Sequence, residues 1–188
     1  MSQVTVIVLA AGEGARFRAA GGKQGKLQSP ITTERGTYTV LEHVLHAVKT
    51  SDLAWHMVEP AHTQHLPIQG MGSSIATGVA ATKNATGWLI LPADLPLIQP
   101  ETLRQLASAL EKHDVVAPTV HGQRGHPVGF SKICLPDLLK LQGDQGAKHI
   151  IHLYDLHFVP LEDVGCILDV DTPETLSLAQ QYAYTQIS

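Results

Sequence analysis

Two cysteines, no surplus of basic residues and no apolar run of membrane-spanning length set the first limits on this chain. Cys134 and Cys166 are too few and too unpatterned for a disulfide framework or a structural zinc site, and they suit a reducing cytoplasm. A formal net charge of −4 argues against a general nucleic-acid binder, which would carry a basic stripe. Any anionic ligand must then be met by local cations. Nothing approaches the roughly 20 consecutive apolar residues of a membrane span. The opening Met1-Ser2-Gln3 runs straight into a hydrophobic stretch, so no signal peptide is expected. No Pro/Ser/Gly-rich linker divides the 188 residues, of which 44% are hydrophobic, and one domain over residues 1–188 is expected.

What the chain does have is concentrated at its start. Residues 4–9, Val-Thr-Val-Ile-Val-Leu, read as a strand buried on both faces of a parallel sheet, and the class expected is α/β. Ala10, Ala11, Gly12 and Gly14 follow with almost no side-chain bulk, so a ligand can approach their N–H groups closely. Arg16 comes next, then Lys23 and Lys26, which is the arrangement a polyphosphate needs. Two familiar phosphate loops are excluded: neither Gly22-Lys23 nor Lys26 is followed by Ser or Thr, and Phe17 stands where a dinucleotide loop has its third small residue. A plain strand-to-helix turn is the alternative reading.

Residues 21–39 are polar and irregular and read as a long loop above the sheet ends. Helical spacing follows at 40–48, and a strand at 53–58. Gly70-Met71-Gly72-Ser73-Ser74 is a small-residue turn opening a helix, in which Ser73 or Ser74 is a natural N-cap or, alternatively, faces a ligand from the helix N-terminus. Residues 88–91 form another buried strand, ending in Pro92-Ala93-Asp94-Leu95-Pro96. Asp94 therefore stands beyond a strand's carboxyl end, where open α/β sheets bind ligands. A helix is expected over 100–113, a short strand at 115–117 and a helix over 133–141. Between them, residues 121–131 are too rich in glycine and proline for a helix, and present Arg124 and His126 from an extended strand or hairpin. Asp144 is read as a cap for the segment from 148 to 153 or, alternatively, as facing a substrate.

Alternation puts Asp169 and Asp171 on one face of an extended strand, with Thr172 and Pro173 opening a last helix. With Asp94 the pair can hold a hard divalent cation such as Mg²⁺, which takes a few carboxylates plus phosphate oxygens and water. An ordinary capped helix start is the alternative. Three histidine pairs at i, i+3 (43/46, 62/65 and 149/152) have no acid or cysteine to complete a transition-metal site.

Seven stretches then occur in one order: Leu9-Ala10-Ala11-Gly12-Glu13-Gly14-Ala15-Arg16-Phe17, Lys26-Leu27-Gln28-Ser29-Pro30, Gly70 to Ser74, Pro92 to Pro96, Arg124-Gly125-His126-Pro127, Gly143-Asp144-Gln145-Gly146-Ala147 and Asp169-Val170-Asp171-Thr172-Pro173. The series resembles the nucleotidyltransferases of the MobA/MocA type, most closely the molybdenum cofactor cytidylyltransferases. The resemblance implies a Rossmann-like, GT-A-like three-layer sandwich with a mostly parallel mixed sheet. It implies that Leu9 to Gly14, with Gly72, Ser73 and Ser74, bind CTP or GTP, that Arg16 and Lys26 neutralise its triphosphate, and that Asp94 and Asp171 carry Mg²⁺ or Mn²⁺. Arg124, Gly125, His126, Pro127, Gly143, Asp144, Gly146 and Ala147 would face the acceptor, molybdopterin cofactor, destined for a molybdoenzyme or its chaperone. The stretch between Phe17 and Lys26 is longer than the family pattern, so Lys23 and Lys26 compete for the lysine's place.

Overall fold

Val6 and Val8 of β1 (Thr5–Leu9) enter one hydrophobic cluster and Ile7 enters another, as the two-residue period of a strand requires. The computed structural model describes residues 3–12, 14–23, 25–33 and 36–185. After β1 the chain turns through Gly14, whose φ of +63° lies in the left-handed region, into α1 (Ala15–Ala19). A 3₁₀ turn at Lys26–Gln28 leads into β2 (Pro30–Thr33) and β3 (Gly36–Thr39), which pair as an antiparallel hairpin.

The loop expected over 21–39 is thus corrected. Among the described residues of the hairpin strands only Ile31 is buried, so no apolar alternation announces them. Their outer edge is completed from far away: the Gln180 carboxamide accepts from Thr32 N–H at 2.7 Å and donates to Thr32 C=O. A side chain takes the place of a neighbouring strand.

Thr39 then caps α2 (Val40–Thr50) in a capping box with Glu42, each side chain bonding the other's backbone N–H. β4 (Ala54–Val58), α3 (Pro60–Thr63) and α4 (Met71–Ala81) follow, then β5 (Gly87–Pro92), α5 (Pro100–Ala109) and β6 (Val115–Val120). The 121–131 stretch is extended as expected, giving β7 (Gln123–Arg124) and β8 (Val128–Ser131). The helix expected at 133–141 is shorter, a 3₁₀ turn running into α6 (Leu135–Leu138). α7 (Lys148–Ile151), the edge strand β9 (Leu156–Pro160) and α8 (Pro173–Thr185) complete the order. β9 escaped the sequence because His157 and Phe158 are both exposed, breaking the alternation.

Strands pair in the order β4-β1-β5-β8-β6-β7, with β9 also on β6. β1 is parallel to β4 and β5, and β6 is parallel to β9; β8 runs antiparallel between β5 and β6, and β7 antiparallel on β6. Helices cover both faces of this mixed, mostly parallel sheet. Residues of α2, α5 and α8 pack with Val6, Val8, Leu89 and Leu91; residues of α4, α6 and α7 pack with Ile7, Trp88 and Ile90. The α/β architecture is the one the sequence implied. No helix among the described residues is long and apolar enough to cross a membrane.

α4 lies close on the sheet because Gly78 has no side chain: a Cβ there would stand 2.5 Å from Ile7 Cγ2 and 3.0 Å from Val58 Cγ2. Gly78→Val should therefore lower unfolding free energy by about 2–3 kcal/mol, the cost of overpacking a filled core. Urea denaturation followed by circular dichroism measures it, and an unchanged midpoint would refute this packing.

Candidate active site

β1 and β5 run side by side and parallel, so their carboxyl ends open at the same edge of the sheet. Ala93 N–H donates to Leu9 C=O at 3.1 Å, carrying the pairing past β5 and setting Asp94 next to the glycine-containing turn after β1. Val170 N–H then donates to Asp94 C=O at 2.9 Å, which brings Asp169 and Asp171 to the same point from the far end of the chain. The segment is irregular rather than the extended strand expected, so the two acids owe their meeting to that backbone bond and not to strand alternation. Thr175 Oγ accepts from the N–H groups of Asp171 and Thr172, and Thr172 Oγ accepts from Thr175 N–H. Thr172 thus opens α8 as the sequence suggested.

Ligand oxygens of Asp94, Asp169 and Asp171 lie within 4.8 Å of one another, the one such group of metal-binding side chains among the described residues. Lys26 Nζ bridges two of the acids, 2.6 Å from Asp94 Oδ2 and 2.8 Å from Asp171 Oδ1. Arg16 Nη1 reaches Asp171 Oδ2 at 3.1 Å from an exposed position. Of the two competing lysines, Lys26 is the one at the acids; Lys23 is exposed to solvent. Asp94 Oδ1 is buried and has no hydrogen-bond partner. An orphaned carboxylate oxygen flanked by two more acids is a donor set that fits a hard divalent cation.

These groups line a cavity of about 530 Å³, within the usual range for small-ligand sites. Gly14, Arg16 and Lys26, the three acids, and Arg124, Gly125 and His126 all line it. Gly125 is held against Cys166: His126 N–H donates to Cys166 C=O at 2.8 Å, and a Cβ on Gly125 would stand 2.4 Å from that oxygen. Only glycine fits there. Met71, Gln123, Cys166 and Ile167 also line the cavity and were missed, since nothing in their types marks them.

Other expected residues are outside the cavity lining. Leu9 ends β1, Ala10 is buried, and Ala11 and Gly12 lead toward Gly14 without lining the cavity; Glu13 is outside the described residues. Ser73 and Ser74 are not N-caps, a place taken by Gly70. Both are buried, and their hydroxyls donate back to Ile68 C=O and Gly70 C=O, because the helix begins three to four residues earlier than a cap at Ser73 or Ser74 would place it. Ser73 Oγ also accepts from Gly143 N–H at 3.0 Å, clasping residues 143–145 onto α4, and Gly72 is pressed against Gln142 and Gly143. Asp144 does not cap α7, whose N-cap is Ala147 with no side-chain bond. Gly143 and Asp144 lie against Gly70, and a Cβ on Gly146 would fall 3.3 Å from Met71 Sδ; these residues, with Ala147 and Pro127, are outside the cavity lining.

The charges are mutually tuned. Burial works against the Lys26 ammonium, but Asp94 and the hydrogen bonds to both acids outweigh it and hold its pKa above the ordinary lysine value. The bond from Lys26, with the charges of Lys26 and Arg16, keeps the Asp171 carboxyl below the usual range. Burial, followed by the charges of Asp171 and Asp94, pushes Asp169 up. The Cys166 thiol is raised by burial and by Asp163, so it is protonated and no nucleophile. Burial lowers the pKa of His126, with Arg124 acting in the same sense and Asp94 and Asp169 opposing. His126 should therefore be neutral at pH 7 and charge only below the ordinary histidine midpoint of about 6.5. Imidazole ¹H–¹⁵N NMR across pH 5–8 reads this directly, and a midpoint at or above 6.5 would contradict it.

Comparison with known proteins agrees with this geometry. The model of the MobA-like NTP transferase domain family matches residues 6–157. The purine catabolism protein PucB of Bacillus subtilis (strain 168) is 29% identical over 203 residues, covering 93% of this chain and 95% of its own. The molybdenum cofactor cytidylyltransferase of Escherichia coli (strain K12) is 28% identical over 119 residues, covering 63% of this chain and 60% of its own. Among solved structures, Rv0371C of Mycobacterium tuberculosis H37Rv in complex with manganese has the same fold, with a TM-score of 0.71 at 21% identity over 96% of this chain and 99% of that one. Since the family match runs from β1 through most of the sheet, including the turn after β1 and the Asp94 segment, the chain belongs to the MobA-like NTP transferase family of nucleotidyltransferases.

Proposed function

We propose that this protein transfers the CMP moiety of CTP to the terminal phosphate of molybdopterin cofactor, releasing pyrophosphate, with a divalent cation held by Asp94, Asp169 and Asp171. The observation that carries it is the meeting of three carboxylates with Lys26, Arg16 and Arg124 in one cavity at the carboxyl ends of β1 and β5. The likeness to the cytidylyltransferase supports CTP and this acceptor. The manganese complex of the structural neighbour supports a divalent ion.

In this reading an acceptor phosphate oxygen forms a bond to the α-phosphorus while the bond from that phosphorus to the bridging α–β oxygen breaks, the electron pair leaving with pyrophosphate. No protein nucleophile is required. Gly14, in the cavity lining, lets the triphosphate approach the backbone closely. Arg16 and Lys26 neutralise the charge developing on the departing pyrophosphate, and Arg124 with neutral His126 orients the acceptor in the same cavity. The bound cation would supply charge stabilisation to the phosphate oxygens.

Pyrophosphate release should occur with CTP and Mg²⁺ only when molybdenum cofactor is added. The same acceptor dependence with GTP would replace CTP by GTP, and silence with every nucleotide would overturn the reading. Asp94→Asn should cut kcat by about 10²–10³-fold, as loss of a transition-state charge contact does, with nucleotide affinity retained; unchanged turnover would remove Asp94 from the metal set. Arg124→Ala should raise the KM for the acceptor about tenfold, the worth of one charge-assisted hydrogen bond, and leave the KM for CTP within about twofold. Steady-state kinetics with each substrate varied in turn separates the two, and a rise confined to CTP would place Arg124 on the nucleotide instead.

A further inference from the structure

We infer that Lys26 is an internal counter-ion, holding the cation's place between Asp94 and Asp171 until a triphosphate draws its ammonium away, so that metal and nucleotide enter the site together. The inference rests on the assignment of the acids to a divalent cation made above.

One ammonium touches an oxygen of each acid, at 2.6 and 2.8 Å, from a side chain only 15% exposed. A divalent ion such as Mg²⁺ would need those oxygens at about 2.0–2.1 Å. Both cations cannot share the two oxygens, because their repulsion in a partly buried site is several kcal/mol. The ammonium also leaves the acid set unfinished. Asp94 Oδ1 remains buried without a partner, and Asp169 brings a third oxygen that Lys26 does not bond. Lys26 is thus a partial substitute, adequate to hold the acids in place and weak enough to be exchanged.

Its stem shows where the head can go. Lys26 Cγ lies 3.4 Å from where a Cβ on Gly14 would be, so the side chain runs along the turn whose backbone is open to phosphates. A lysine's four-carbon stem lets the ammonium swing between acids and turn without moving the backbone. Arg16 cannot play this part, since its side chain is 83% exposed and its contact with Asp171 is screened by water. When the triphosphate takes the ammonium, the acids are released to a metal at the same moment. Thermodynamic linkage then requires that the metal raise nucleotide affinity by the same factor as the nucleotide raises metal affinity.

The test is Mn²⁺ binding read by electron paramagnetic resonance at pH 8, where unpaired carboxylates stay ionised. Without nucleotide, Lys26→Met should bind Mn²⁺ at least tenfold more tightly than the wild type, and Lys26→Gln, which keeps a donor but not the charge, should shift the same way. Adding β,γ-imido-CTP, with Mn²⁺ chelation by free nucleotide subtracted, should tighten Mn²⁺ binding at least tenfold more in the wild type than in either variant. Adding Asp94→Asn to Lys26→Met should abolish the gain, which ties the signal to these acids. Thermal unfolding checks that each variant is folded. Equal nucleotide-free affinity in wild type and both variants overturns the counter-ion role while leaving the metal site and the proposed reaction standing. Absence of Mn²⁺ binding in every protein, with or without the analogue, overturns the metal assignment and this inference with it.

Discussion

Three like charges held at the end of a sheet are the constraint on which the rest of the site depends. Two carboxylates about 4 Å apart repel by roughly 4 kcal/mol at the effective dielectric of a partly buried site. Asp94, Asp169 and Asp171 are nonetheless fixed at such range, by Val170 N–H on Asp94 C=O and by Thr175 Oγ on the backbone of Asp171. A cation must offset that repulsion, and Lys26 is placed to do so. The opposite directions in which Asp169 and Asp171 are pushed are related to it: Asp171 is bonded to the ammonium and stays acidic, whereas Asp169 has no such bond and is raised by desolvation first and by its anionic neighbours second.

The sheet is the frame for this cluster. Parallel pairing of β1 with β5 delivers the glycine-containing turn and Asp94 to one edge, and β7, paired on β6, with the link from it to β8 brings Arg124 and His126 to the same cavity. Close backbone approach does the rest. Gly78 lets α4 settle on β1 and β4, and Gly125 lets the Arg-Gly-His-Pro stretch lie on Cys166. The cavity lining is drawn from segments far apart in the chain.

Stability and chemistry are therefore coupled at a few contacts. Ser73, expected at a helix cap or a ligand, links the start of α4 to Gly143, and Gln180 of α8 holds the free edge of β2. The family match ends at residue 157, yet Asp169, Asp171 and α8 lie beyond it and reach back to the centre. The part of the chain least marked by that match completes the site.

The sequence by itself determined whatever is local. A run of β-branched residues at 4–9, the small residues to Gly14, Asp94 between two prolines, Thr172-Pro173 before α8 and the amphipathic α2 each carry their reason within a few neighbours, and the order of motifs gave the family and the α/β class. What only the tertiary structure decided depends on contacts between distant residues. The choice of Lys26 over Lys23, the convergence of Asp169 with Asp94, the hairpin completed by Gln180, and the burial of Ser73 and Ser74 beneath the Gly143 turn all join segments tens of residues apart. No periodicity records such contacts, because a strand or helix pattern reports which face is buried and not what is buried against it.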